Sequence, residues 1–356
     1  MKFKKLSMIA LSLSLSVGLL AGCSGTPAVS GTPTPGGTPS PSVVPSPSEA
    51  VGEAVKTGLS MVTSVSKSKD ASAEGDGQAQ ANVALVAVTV GEDGVITSCV
   101  IDAIQAKIDF DAAGKLTTDP ATEFASKNEL GTGYGMNKAS SIGKEWNEQA
   151  ASMAEYAVGK TVEELQGVAV NEEGQATDAD LAASVTLSIT GFVDGIESAV
   201  KNATHMGAQK GDKLALTSAT NMSKSKDAAA DADGLAQAYA TVAAVTLNGD
   251  TVTSCYIDAV QANVNFDATG KITTDLTATQ PSKNELGEAY GMKKASSIGK
   301  EWNEQAAAFC AYVTGKTVSE VTGIAVDDHE SPTDADLAAS VTIGIGEFQS
   351  LIAKAA

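Results

Sequence analysis

The stretch DADLAASVT occurs twice, at Asp178–Thr186 and Asp334–Thr342, identical over nine residues and 156 positions apart. It ends in a threonine followed by apolar residues at helical spacing: Val185, Ile189, Phe192, Ile196 and Val200 in one copy, and Val341, Ile345, Phe348 and Ile352 in the other. That spacing predicts an amphipathic helix beginning near Ser184 and Ser340, with Thr186 and Thr342 in its first turn. First-turn amides have no intrahelical partner and face the positive end of the helix dipole, so a phosphate carried on either hydroxyl would find free N–H donors there. Asp180 and Asp336 would compete for the same donors unless they cap the helix or turn away. On pattern alone Ser184 and Ser340 read first as plain N-caps, with the threonines as ordinary helix-start residues.

The rest of the chain is organised by the same duplication. SKNELG starts at Ser126 and Ser282, IGKEWNEQAA at Ile142 and Ile298, GKTV at Gly159 and Gly315, and SKSKDA at Ser66 and Ser223. The offset changes from 157 to 156 between AVTVGEDG and AVTLNGD, a turn where a change of length costs little. Each copy is too long for a solenoid repeat. Each reads as strands first and helices later. ANVALVAVTV and VITSCVIDAIQAKIDF are joined by a GEDG turn, and AYATVAAVTL and TVTSCYIDAVQANVNF by NGD. An apolar stripe through Ile142, Trp146, Ala150, Met153 and Ala157 follows, with Trp146 and Trp302 read as core. Capping boxes at Thr161–Glu164 and Thr317–Glu320 each open a short helix. The expected fold class is α+β, two tandem homologous domains, each a mainly antiparallel sheet followed by packed helices, over residues 53–206 and 207–356.

Ahead of these lie two segments of different character. Residues 1–22 carry Lys2, Lys4 and Lys5, an apolar run and the ending Leu20-Ala21-Gly22, the form of an export signal. LAGC resembles the lipobox of bacterial lipoproteins, which implies that Cys23 is acylated and becomes the new N-terminus. Residues 23–52 are rich in proline, serine and threonine and read as an extended tether. All 24 basic residues are lysines, and loss of the three in the signal takes the formal charge from −19 to −22. So acidic a chain lacks the basic surface that nucleic acid requires. Besides Cys23 there are Cys99, Cys255 and Cys310, an odd set that reads as buried, inert thiols and not as a disulfide framework or zinc site. His205 and His329 are not repeat mates and suggest no metal site.

The strand–turn–strand VTVGEDGVITSCVI, followed much later by D-x-x-x-S-V-T and an amphipathic stretch, resembles the FMN-binding domain family. In that family the threonine of a D-x-x-S-G-A-T motif is esterified to the phosphate of FMN by a flavin transferase. The resemblance places the family's Asp on Asp180 and Asp336 and its Thr on Thr186 and Thr342. The Ser-Gly-Ala positions fall on Ala183-Ser184-Val185 and Ala339-Ser340-Val341, so the glycine is lost and the backbone there need not be the same. The layout is similar to that of the two-domain extracellular electron-transfer flavoproteins of Gram-positive bacteria. It implies two covalent FMN groups and a lipid anchor on the outer face of the cell membrane. It also implies a membrane electron donor such as a quinone-linked dehydrogenase, and external acceptors such as free flavin or ferric iron. GYGM at Gly133–Met136 and AYGM at Ala289–Met292 make Tyr134, Met136, Tyr290 and Met292 candidates for ring contact, or else loop plugs packing on their own domain. Lys144 and Lys300 could pair with phosphate, although solvated lysines are the commoner case. An electron carrier is expected over an enzyme with its own substrate. A lipid-anchored small-ligand-binding or structural surface protein without cofactor is the alternative.

Overall fold

The computed structural model describes residues 52–356; the signal, Cys23 and nearly all of the tether lie outside them. The first repeat contains strands β1 (Lys56–Ser64), β2 (Gly77–Val90) and β3 (Ile96–Phe110). These are followed by helices α1 (Lys127–Leu130), α2 (Trp146–Ala157), α3 (Val162–Gln166), α4 (Ala179–Ala182) and α5 (Thr190–Lys201). The second repeats the order with β4 (Lys213–Asn221), β5 (Gly234–Asn248) and β6 (Thr251–Phe266). Its helices are α6 (Lys283–Leu286), α7 (Trp302–Val313), α8 (Val318–Thr322), α9 (Ala335–Ala338) and α10 (Gly346–Ala355). Each sheet is a three-stranded antiparallel meander, β1-β2-β3 and β4-β5-β6. The fold is therefore α+β, two similar units in tandem.

Alternation along the long strands gives each sheet two apolar faces. One face of β2 and β3, through Val86, Val88, Ile96 and Ile101, packs on α2 and α5 and forms that repeat's own core with Trp146, Met153 and Ile196. The second sheet does the same with Trp302, Phe309, Phe348 and Ile352. The other face of each sheet turns towards its counterpart, and the two build one common core with Leu85, Ile104, Val242 and Val260. Alanines at 79, 81, 236, 238 and 240 line much of that face, small enough for two sheets to approach closely.

The contact between repeats is reciprocal, like that of a two-fold dimer. Ala71 N donates to Gly270 O and Ala228 N to Gly114 O, both at 2.8 Å. Leu116 N donates to Asp227 Oδ1 at 2.9 Å, and Ile272 N to the repeat mate Asp70 at 2.8 Å. Phe110 stacks on Phe266, with centroids 4.2 Å apart and planes 5° from parallel. Gly114 and Gly270 sit in the left-handed region, and a Cβ on either would lie 2.8 or 2.6 Å from an alanine Cβ of the other repeat. Among the described residues, no helix is long and apolar enough to cross a membrane.

Candidate functional site

The helix after the repeated nonapeptide does not begin where the spacing placed it. It starts at Thr190 and Gly346, several residues beyond Ser184 and Ser340. DADLA itself forms one-turn helices, α4 and α9, whose caps are Asp178, accepting from Asp180 N and Leu181 N, and Asp334, accepting from Leu337 N. Asp180 and Asp336 are exposed in the first turn. Ser184 and Ser340 do not cap the next helix; their hydroxyls donate backwards, to Leu181 O at 3.1 Å and Leu337 O at 3.2 Å. Thr186 and Thr342 thus stand on irregular backbone between two helices, and the dipole of the longer helix does not reach them as the spacing suggested.

What holds them is a glutamine. Gln149, on the buried face of α2, is fully enclosed. Its Oε1 accepts from Thr186 N (2.8 Å), Thr186 Oγ1 (3.2 Å) and Leu187 N (3.2 Å). Its Nε2 donates to Ser140 Oγ and Lys144 O. The second repeat reproduces every bond: Gln305 Oε1 accepts from Thr342 N, Thr342 Oγ1 and Ile343 N, and its Nε2 donates to Ser296 Oγ and Lys300 O. Val185 and Val341, both buried, anchor the segment from below. DADLAASVT and IGKEWNEQAA, which lie in the two longest identical runs, are therefore the two halves of one contact. Gln149 and Gln305 were legible as polar residues lying three positions after a tryptophan on an apolar helical stripe.

The Tyr-Gly-Met loops pack on the same cores. Tyr134, Met136, Leu187 and Phe192 are half-buried against the first, and Tyr290, Met292 and Ile343 against the second. Gly135 and Gly291, both at φ 79°, let each loop turn into a short 3-10 segment. A buried carboxylate fastens it: Glu145 Oε2 accepts from Met136 N, and Glu301 accepts from both Met292 N and Lys293 N. Glu145 Oε1 finds no such second donor. Trp146 and Trp302 are core, as expected, each meeting a phenylalanine edge to face, Phe192 and Phe348. Lys144 Nζ reaches Ser152 Oγ at 3.4 Å.

A lysine not singled out from the sequence completes each cluster. Lys127 and Lys283, the second residues of SKNELG, sit on α1 and α6, which Asn128 N and Asn284 N pin to Asp102 and Asp258 of the sheets. Lys127 Nζ lies 4.5 Å from the Tyr134 ring centroid and 4.6 Å from that of Trp146. Lys283 is buried, over Tyr239, Tyr290 and Trp302, and donates to Tyr239 Oη at 2.9 Å. Burial brings the Lys283 ammonium down to about 8, against the pull of the Glu347 and Asp258 carboxylates. Burial also raises Glu347, whose carboxylate accepts from the Thr241 hydroxyl. The repeat mates of Tyr239 and Glu347 are Asn82 and Gly191, so the first cluster lacks both and its lysine is less buried.

The candidate threonines line none of three cavities. The largest, about 650 Å³, lies between β6, α7 and the segment joining the repeats, with Cys255, Cys310, Asn284, Asn303, His205 and Met206 in its walls. A groove of about 370 Å³ holds the equivalent place in repeat 1, against Cys99, Asn128, Asn147 and Ala154. The third, about 390 Å³, lies between Asp102, Glu129, Leu216 and Lys354. No group of three or more metal-ligating side chains occurs among the described residues. No family model matches the chain, and neither a curated protein nor a solved structure is similar to it.

Proposed function

We propose that the chain is a lipid-anchored extracellular electron-transfer flavoprotein, carrying one FMN esterified to Thr186 and one to Thr342. The observation that carries this reading is the duplicated cluster. In both repeats a half-buried threonine hydroxyl is held by a buried glutamine, and a tyrosine, a methionine and an aliphatic residue pack on the same core, with a lysine ammonium over the aromatic rings. The residues fit an ester. Thr186 Oγ1 would lose only one bond as donor, and Gln149 Oε1 would keep the two amides that hold the backbone. The tyrosine, methionine and aliphatic side chains would offer a flat ring an apolar face, and Lys127 or Lys283 a positive charge against which a reduced, anionic ring is favoured.

FMN supplies the electron-accepting chemistry; the chain supplies attachment, orientation and local charge. In this account a flavin transferase loads both threonines, a quinone-linked dehydrogenase in the membrane delivers electrons, and free flavin or ferric iron accepts them. The test is export of the chain beside an active flavin transferase, followed by denaturation and in-gel flavin fluorescence. Fluorescence that survives denaturation, falls by about half in Thr186→Val or Thr342→Val, and vanishes in the double variant supports the reading. A colourless wild-type protein overturns it.

A second reading, a lipid-anchored binding protein for a small ligand, is favoured by the cavity of about 650 Å³ in repeat 2. It predicts no covalent flavin, and indifference of ligand binding to Thr186 and Thr342.

A further inference from the structure

The odd cysteine count hides a pair. Cys255 on β6 and Cys310 on α7 are 55 residues apart in sequence, and their Sγ atoms stand 3.2 Å from each other. Both are buried, 1% and 6% exposed, yet both form part of the wall of the cavity of about 650 Å³ beside the joint between repeats. Repeat 1 has no such pair, because Ala154 stands where Cys310 does and leaves Cys99 alone against its groove. A disulfide would require the two sulfurs to close by about 1.2 Å, to roughly 2.05 Å. The sulfurs are already in contact, on elements packed into one core.

We infer that Cys255 and Cys310 are an oxidisable dithiol, joined as a disulfide by exchange with a small-molecule disulfide admitted through the adjoining cavity. The Cys310 thiolate, the more accessible, attacks one sulfur of the reagent, breaks its S–S bond and releases one small thiolate. The Cys255 thiolate then attacks the Cys310 sulfur of the mixed disulfide and expels the second. The two protein protons end on the two released thiols; the protein pair is oxidised by two electrons and the reagent reduced by two. Cys310 beside it, and then burial, hold the Cys255 thiol well above its ordinary range. The thiolate fraction at Cys255 is therefore small, which makes its attack on the mixed disulfide the slow step. The crosslink would staple α7, the helix that carries Gln305, to its sheet. None of this depends on flavin attachment.

The absence of arginine makes the test clean, because digestion after lysine places Cys255 in peptide 227–271, Cys310 in 301–316 and Cys99 in 70–107. The detergent-solubilised full chain is incubated with hydroxyethyl disulfide, alkylated and mapped by mass, with circular dichroism to confirm that it stays folded. The expected product is peptide 227–271 linked to 301–316, with Cys99 never crosslinked. Cys255→Ala is expected to stop at a mixed disulfide on Cys310. Cys310→Ala, which restores the residue of repeat 1, is expected to give no crosslink. Folded wild-type protein whose Cys255 and Cys310 stay fully alkylatable, or which retains the mixed disulfide on Cys310, overturns the inference.

Discussion

Replacement of Gln149 by leucine asks whether the glutamine holds the threonine segment in place. The side chain is fully enclosed and is the acceptor for the two backbone amides of Thr186 and Leu187. Leucine is close in size but offers no acceptor. Each stranded amide costs about 1–3 kcal/mol when water cannot reach it. The half-exposed Thr186 hydroxyl can turn to solvent and adds little. The added apolar burial of leucine returns part of the loss, which leaves about 3 kcal/mol of destabilisation. Gln305→Leu should cost the same, and the two should add, because the sites lie in different repeats and share no bonded group. Gln149→Glu makes a sharper variant. A carboxylate keeps the acceptor for both amides but turns the Nε2 donor into an acceptor facing Lys144 O, so it should destabilise at neutral pH and recover as the pH falls and the group protonates. Urea unfolding at constant slope gives the free energies, and amide exchange at Thr186 and Leu187 reports the local opening. A loss below about 0.5 kcal/mol, with exchange at those two amides unchanged, would refute the assignment.

Three further outcomes follow from the same geometry. Phe110→Ala and Phe266→Ala should each cost about 3–5 kcal/mol, with a coupling of about 1 kcal/mol in the double-mutant cycle; two separate unfolding transitions in the wild type would contradict the common core. Burial raises Asp258 from 3.8 to about 6, so the folded state binds the proton more tightly than the unfolded one. That contribution is full below the unfolded value and is lost as pH rises through about 6, a difference of about 3 kcal/mol that Asp258→Asn should remove from the pH profile of stability. The Cys255–Cys310 disulfide closes a loop of 55 residues and should stabilise the oxidised protein by about 4 kcal/mol on chain-entropy grounds, read as a higher unfolding midpoint that Cys310→Ala abolishes.

The long strands were legible because alternation and Gly/Asp turns bound them, and α2, α3 and α8 because stripe and capping boxes mark them. Strands β1 and β4 escaped notice: KTGLSMVTS and KLALTSATN mix small and polar residues without clean alternation, and only pairing with the longer neighbour defines them. The start of α5 was misplaced for an instructive reason. Val185 and Ile189 are buried at helical spacing, but from irregular backbone, so the pattern records burial and not conformation. The lysine clusters join residues as far apart as Tyr239 and Trp302, a proximity no local pattern carries. The face-to-face sheets were hidden as well, since their alanines look like weak strands until a second sheet packs on them.

Intact mass tests most directly whether both threonines carry flavin. The chain exported with an active flavin transferase should be heavier than the unloaded chain by two FMN groups less two waters. It should lose one increment in Thr186→Val, one in Thr342→Val and both in the double variant. An unmodified mass in the wild type, with the transferase shown to load another acceptor in the same cells, would contradict the account.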